Sequence, residues 1–173
     1  MQELLSPLSL AVLTIFPGCM LIAAFTDLAT MTIPNRLSIA LVAGFAILVV
    51  LTGMPLSEVA IHFAIGFGVL VVGFILFALN LLGGGDAKFV AATSLWMGVS
   101  GLFPFFVTFA LVGGLFGIMI LSFRRLPIPA YLVRYDWITR LHEPKGDIPY
   151  GVALSIGGLI VFPDTVIFAL SVA

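Results

Sequence analysis

Apolar residues run without alternation through residues 8–25, 37–51, 59–82, 89–98, 102–123 and 148–161, and polar residues gather between the runs. Continuous runs predict helices, because a membrane strand would alternate inward and outward residues. Pro17-Gly18 inside the first run predicts a kink. Asp27 to Arg36 reads as a short polar loop, with Ile33 pushed toward extended geometry by Pro34. Residues 52–57, which hold Gly53 and Pro55, read as a turn. The run 89–98 is too short to cross about 30 Å of hydrocarbon at 1.5 Å per residue. It is a crossing through thinned bilayer, a crossing extended by its neighbours, or a half-helix. Gly113, Gly114 and Gly117 predict a small-residue face for close helix packing. Tyr131, Tyr135, Ile138 and His142 recur at helical spacing in the long polar stretch 124–147. They predict a short helix on the membrane surface, with an irregular loop as the alternative.

Composition sharpens this picture. The chain has 173 residues, 62% hydrophobic and 9% charged, with a mean hydropathy of +1.29. A soluble domain is nearer a quarter charged. The expectation is an all-α polytopic membrane bundle of about six transmembrane helices, one domain over residues 1–173. The formal net charge of −1 gives no reason to expect nucleic acid as a partner. Cys19 is the only cysteine, which excludes an internal disulfide and a multi-cysteine metal site, and predicts a small buried hydrophobe. Residues 1–3 lack a positive flank, so the first run is expected to be a retained span.

Charge sets an expected orientation. All seven basic residues, Arg36, Lys88, Arg124, Arg125, Arg134, Arg140 and Lys145, fall in the first, third and fifth loops of a six-crossing arrangement. The positive-inside rule then puts those loops in the cytoplasm and both termini outside. The same argument requires the short fourth run to cross.

Candidate chemistry centres on Gly83-Gly84-Gly85-Asp86-Ala87-Lys88. Three glycines make a poor helix interior, permit positive φ and permit close approach. An acid at the edge of the hydrocarbon is a functional candidate. The alternative is that Asp86 N-caps the next helix and Lys88 anchors it at the headgroups. Asp27, at matching depth at the end of another span, favours a site. Two carboxyls converging in a low-dielectric setting share a proton: one acts as general base on a water, the other polarises a carbonyl. Glu3, Glu58 and Asp164 are expected on the opposite side, and Asp136, Glu143 and Asp147 in surface ion pairs. His62 is expected to be hydrogen-bonded inside the bundle.

These motifs resemble the type IV prepilin peptidases, intramembrane aspartic proteases of the GxGD kind. Gly83-Gly84-Gly85-Asp86 is similar to GxGD, with the usual Ala87-Lys88 following. Asp27 with Ile33-Pro34-Asn35 is similar to the first aspartate motif. Pro149-Tyr150-Gly151 is similar to the motif opening the last span, where the favoured reading is helix-start geometry with an interfacial tyrosine. The resemblance implies cleavage of a prepilin leader at the cytoplasmic face of a bacterial inner membrane, with the archaeal branch as an alternative. It implies Asp27 and Asp86 as catalytic, and Gly83, Gly84, Gly85, Lys88, Pro34 and Asn35 as residues that bind substrate or shape the loops. Implied partners are a Flp-type prepilin, membrane lipid and pilus-assembly components. Larger members carry a cysteine-rich zinc insertion tied to N-methylation. Here the first connection is about ten residues and has no cysteine, so neither methyl transfer, metal nor cofactor is expected. A transporter or a secretion-system scaffold is the competing reading, since broken helices and membrane acids also line ion pathways. A presenilin-like protease ranks lower, because Asp27 follows Thr26 rather than a tyrosine.

Overall fold

A bilayer offers no water to satisfy a backbone, so apolar runs of this length form helices that close their own hydrogen bonds. The computed structural model describes residues 11–144 and 146–172. Its helices are α1 (Ile15–Thr30), α2 (Asn35–Thr52), α3 (Leu56–Ala78), α4 (Gly84–Phe123), α5 (Asp136–His142), α6 (Tyr150–Val161) and α7 (Val166–Val172). The chain is an all-α polytopic membrane bundle. Ala11–Thr30, Asn35–Thr52, Leu56–Ala78 and Gly84–Phe123 are each long and apolar enough to cross a membrane, and Tyr150–Asp164 is a shorter apolar stretch.

Two predicted boundaries move, and both moves matter. Asp27 was expected in a loop but lies inside α1, which ends at Met31 in the left-handed conformation, φ 56°. The connection to α2 is therefore only residues 31–34. The helical stretch Ala11–Thr30 is interrupted at Thr14, three residues before Pro17, as a proline inside the first span predicts, and α1 resumes at Ile15 with Pro17 in its first turn. Residues 8–10 of the expected first span lie outside the described residues.

The largest departure is α4. It is a single 40-residue element in which Gly98 takes φ 60°, ψ −166°. One straight rod of that length would run about 60 Å, twice the hydrocarbon thickness. Gly98 instead reverses the chain. Asp86, at the start of the first arm, and Asp147 line one cavity. Arg124, at the end of the second arm, donates to the Asp147 carbonyl at 2.8 Å. Both ends of α4 thus lie at the same end of the bundle. The arms 84–97 and 99–123 correspond to the expected fourth and fifth runs. The surface helix is shorter than its pattern suggested: only Asp136–His142 is helical.

Small residues let the helices approach. A Cβ on Gly66 would lie 2.8 Å from Leu95 Cγ, and one on Gly73 would lie 3.1 Å from Ala87 Cβ, so α3 packs on the first arm of α4. Gly113 faces Ala153 and Gly117 faces Ile148, while Gly114 faces nothing within 4 Å. Two of the three expected small residues therefore pack against α6 and its approach. Trp96, fully buried, donates from Nε1 to the Leu41 carbonyl at 3.0 Å. Its ring meets Phe16 and Phe162 at centroid distances of 5.3 and 5.9 Å. This aromatic core joins α1, α2 and α4 and fixes the first arm of α4, which carries Asp86.

Candidate active site

The two acids converge. Asp27, on the last two turns of α1, is buried. Asp86 is the third residue of α4 and is half-buried. Both line a cavity of about 340 Å³ walled by Phe77, Asn80, Asp147 and Tyr150. Both also line a second cavity of about 410 Å³, walled by Ile33, Pro34, Asn35 and the three glycines. Asp27, Met31, Gly83 and Asp86 are common to the two, so the acids stand where the cavities adjoin.

Asp86 does not N-cap its helix. Gly83 occupies the cap position with extended backbone, φ −67° and ψ 140°, and makes no side-chain cap bond. Nor do the three glycines use positive φ, which among glycines is found at Gly53 and Gly98. Close approach is what they provide. A Cβ on Gly83 would lie 2.9 Å from Asp86 Oδ2, one on Gly84 3.2 Å from the Phe77 ring, and one on Gly85 3.3 Å from the Ile33 carbonyl oxygen. The Gly85 contact brings the Ile-Pro-Asn segment against the start of α4. Lys88 adds a second tie, donating from Nζ to Asn35 Oδ1 at 3.2 Å. The bond joins the Ile-Pro-Asn segment to the start of α4.

Pro149-Tyr150-Gly151 does more than start a helix. The Gly151 N–H donates to Asp27 Oδ2 at 2.7 Å, across 124 positions of sequence. Gly151 is in the first turn of α6, where backbone N–H groups have no intrahelical partner, and the Asp27 carboxyl supplies one. A Cβ on Gly151 would lie 2.7 Å from both Asp27 Oδ2 and Ile33 Cδ1, so any side chain there would displace one of them. Tyr150, half-exposed, lines the cavity beside the acids. Asp147, which is exposed, also lies on that wall. Its place two residues before Pro149 was the sequence signal that could have placed it. His62 behaves as expected: it is buried, and its Nδ1 lies 2.5 Å from the Leu95 carbonyl oxygen.

A polytopic helical membrane protein with two carboxyls meeting in open cavities at one end of the bundle has the layout of a membrane-embedded hydrolase. The family model of the type IV leader peptidases matches residues 14–118, and the chain belongs to that family. No match is found among curated proteins or solved structures. The matched stretch contains Asp27, the Ile-Pro-Asn segment and Asp86, while α5 and α6 lie beyond it.

Proposed function

We propose that this protein is an aspartic endopeptidase that removes the leader of a type IV prepilin of the Flp kind at the cytoplasmic face of the inner membrane. The observation that carries this reading is the meeting of Asp27 and Asp86 in shared cavities, within a leader-peptidase family chain. The pair shares one proton and titrates as a unit. Its ionised member takes a proton from water, which attacks the scissile carbonyl. The protonated member donates to the carbonyl oxygen, and the tetrahedral intermediate collapses as a proton passes to the leaving amine. The Gly151 N–H holds one oxygen of Asp27, which leaves the other for water. The glycines at 83–85 allow an extended substrate backbone to reach Asp86.

Orientation follows from charge. Arg36 and Lys88 open α2 and α4 beside the acids, and Arg124, Arg125, Arg134 and Arg140 lie in the segment from the end of α4 to α6, so the basic residues gather at the dyad end, which favours the cytoplasm. Proteolysis alone, without methyl transfer, is supported by the short connection 31–34 and by the single cysteine, Cys19.

The test is cleavage of a prepilin by purified protein in detergent or liposomes, with Asp27→Asn and Asp86→Asn in parallel. Wild type is expected to release the leader, and each variant to lose at least about a thousandfold in rate. Full processing by either variant would remove that acid from the mechanism. No cleavage by folded wild type across several prepilins would favour the transporter or scaffold reading.

A further inference from the structure

The position of Asp27 depends on two backbone stretches: the end of α1 that carries it and the start of α6 that donates to it. The polar segment between α4 and α6 grips both. Arg124 donates from Nε to the Leu141 carbonyl and from Nη2 to the Asp147 carbonyl, each at 2.8 Å. Asp147 directly precedes Ile148 and the Pro149-Tyr150-Gly151 turn, so that bond fixes the approach to the Gly151 N–H. Arg140, on α5, donates from Nη1 to the Ala29 carbonyl at 2.9 Å. Ala29 is two residues past Asp27, in the last turn of α1, where carbonyls lack helical partners. A guanidinium there satisfies one of them and meets the negative end of the helix dipole. His142 closes the segment on itself, its Nε2 lying 2.7 Å from the Leu126 carbonyl oxygen.

We propose that Arg124 and Arg140 are positioning residues for Asp27, and that residues 124–142, through the bonds of Arg124, Arg140 and His142, form a strap tying the end of α1 to the start of α6. Neither guanidinium reaches the carboxyl; both act through the backbone. Arginine suits position 124 because its planar fork holds two carbonyls in a fixed geometry, whereas an ammonium on a flexible stem does not fix their directions. Membrane topology and lipid charge are satisfied by any cation, whereas these two side chains are aimed at particular carbonyl oxygens. Exposed Arg125 carries the same charge one position on and serves as the control.

The inference rests on Asp27 acting in leader cleavage, so the experiment reads structure and activity separately. Arg124→Gln, Arg124→Lys, Arg140→Gln and Arg125→Gln are compared with wild type in detergent. Hydrogen exchange is followed in the peptide containing Gly151, and kcat and KM on one prepilin. Arg124→Gln and Arg140→Gln are expected to speed exchange at Gly151 and to lower kcat about tenfold or more, with KM within about twofold. Arg124→Lys should recover part of the loss, and Arg125→Gln should change neither readout. A rise in KM at constant kcat would overturn the proposal, because the arginines would then be contacting substrate. Unchanged exchange and unchanged kcat would overturn it too. If wild type cuts no prepilin while exchange at Gly151 still responds, the strap stands and the peptidase assignment fails. Should Arg124→Gln not fold, Arg140→Gln, which removes one exposed bond, decides the matter.

Discussion

Gly151 is the residue at which the geometry of the acid pair is most exposed to a small change. Its N–H holds Asp27 Oδ2 at 2.7 Å, and its missing side chain leaves the space that this carboxyl and the Ile33 side chain fill. Adding one methyl group forces Asp27, Ile33 or the start of α6 to move by several tenths of an ångström. A displacement near 1 Å at a reacting group costs on the order of a hundredfold in rate. Gly151→Ala is therefore expected to lower kcat/KM between about tenfold and a hundredfold while the protein remains folded. Kinetics beside a thermal melt in detergent would check this, and an unchanged rate would show that the carboxyl tolerates the methyl. Gly84 offers a contrast at the same scale. Its Cβ would meet the Phe77 ring at 3.2 Å, and an aromatic side chain can rotate away. Gly84→Ala should cost much less, since Ala is also the better helix residue by about 1 kcal/mol.

At the scale of the element, Gly98 decides how α4 uses its length. The two arms were legible in the sequence as two apolar runs, because hydrophobic continuity is a local property. Their junction was expected near Ser100-Gly101, and it lies at Gly98 because that is where the His62 ring presses against the backbone. A Cβ on Gly98 would be 2.6 Å from His62 Cε1, and the residue sits at φ 60°, where a side chain is strained. A contact between residues 62 and 98 leaves no mark on local periodicity. The same limit explains the rest of the site. Asp27, Asp86 and the Ile-Pro-Asn segment could be read from motifs, because each is short and contiguous. The Gly151–Asp27 bond and the Arg140–Ala29 bond span more than a hundred positions, and neither changes any pattern in its own neighbourhood. Gly98→Ala is expected to destabilise the protein by about 1–3 kcal/mol from backbone conformation alone, with the His62 clash added. The double variant with His62→Ala should recover the clash component but not the backbone component. A melting series of the four proteins separates the two. Full recovery in the double variant would mean that φ at Gly98 carries no cost.

The whole molecule turns on that reversal, because it puts both arms of α4 between the same two faces of the bundle. The acids, Arg124 and Arg140 then share one end, and Gly98, beside His62 in the first half of α3, marks the other. Seven basic residues distributed by sequence alone favour the cytoplasm for the dyad end. A straight α4 would break that agreement, since it would carry Arg124 and Arg125 about 60 Å away from Asp86. Single cysteines can test orientation and reversal together. In a Cys19→Ala background the exposed positions Ser57, Ser100 and Arg125 would each be changed to Cys. Ser57→Cys, in the first turn of α3, and Ser100→Cys, just past the reversal, are expected to react with an impermeant maleimide on intact cells. Arg125→Cys should react only after the membrane is opened. Labelling of Arg125→Cys from outside, with Ser57→Cys, would mean that α4 runs through without turning back. Labelling of all three with the sides exchanged would keep the reversal and move the acid pair to the outer face, where a leader could be cut only after crossing the membrane.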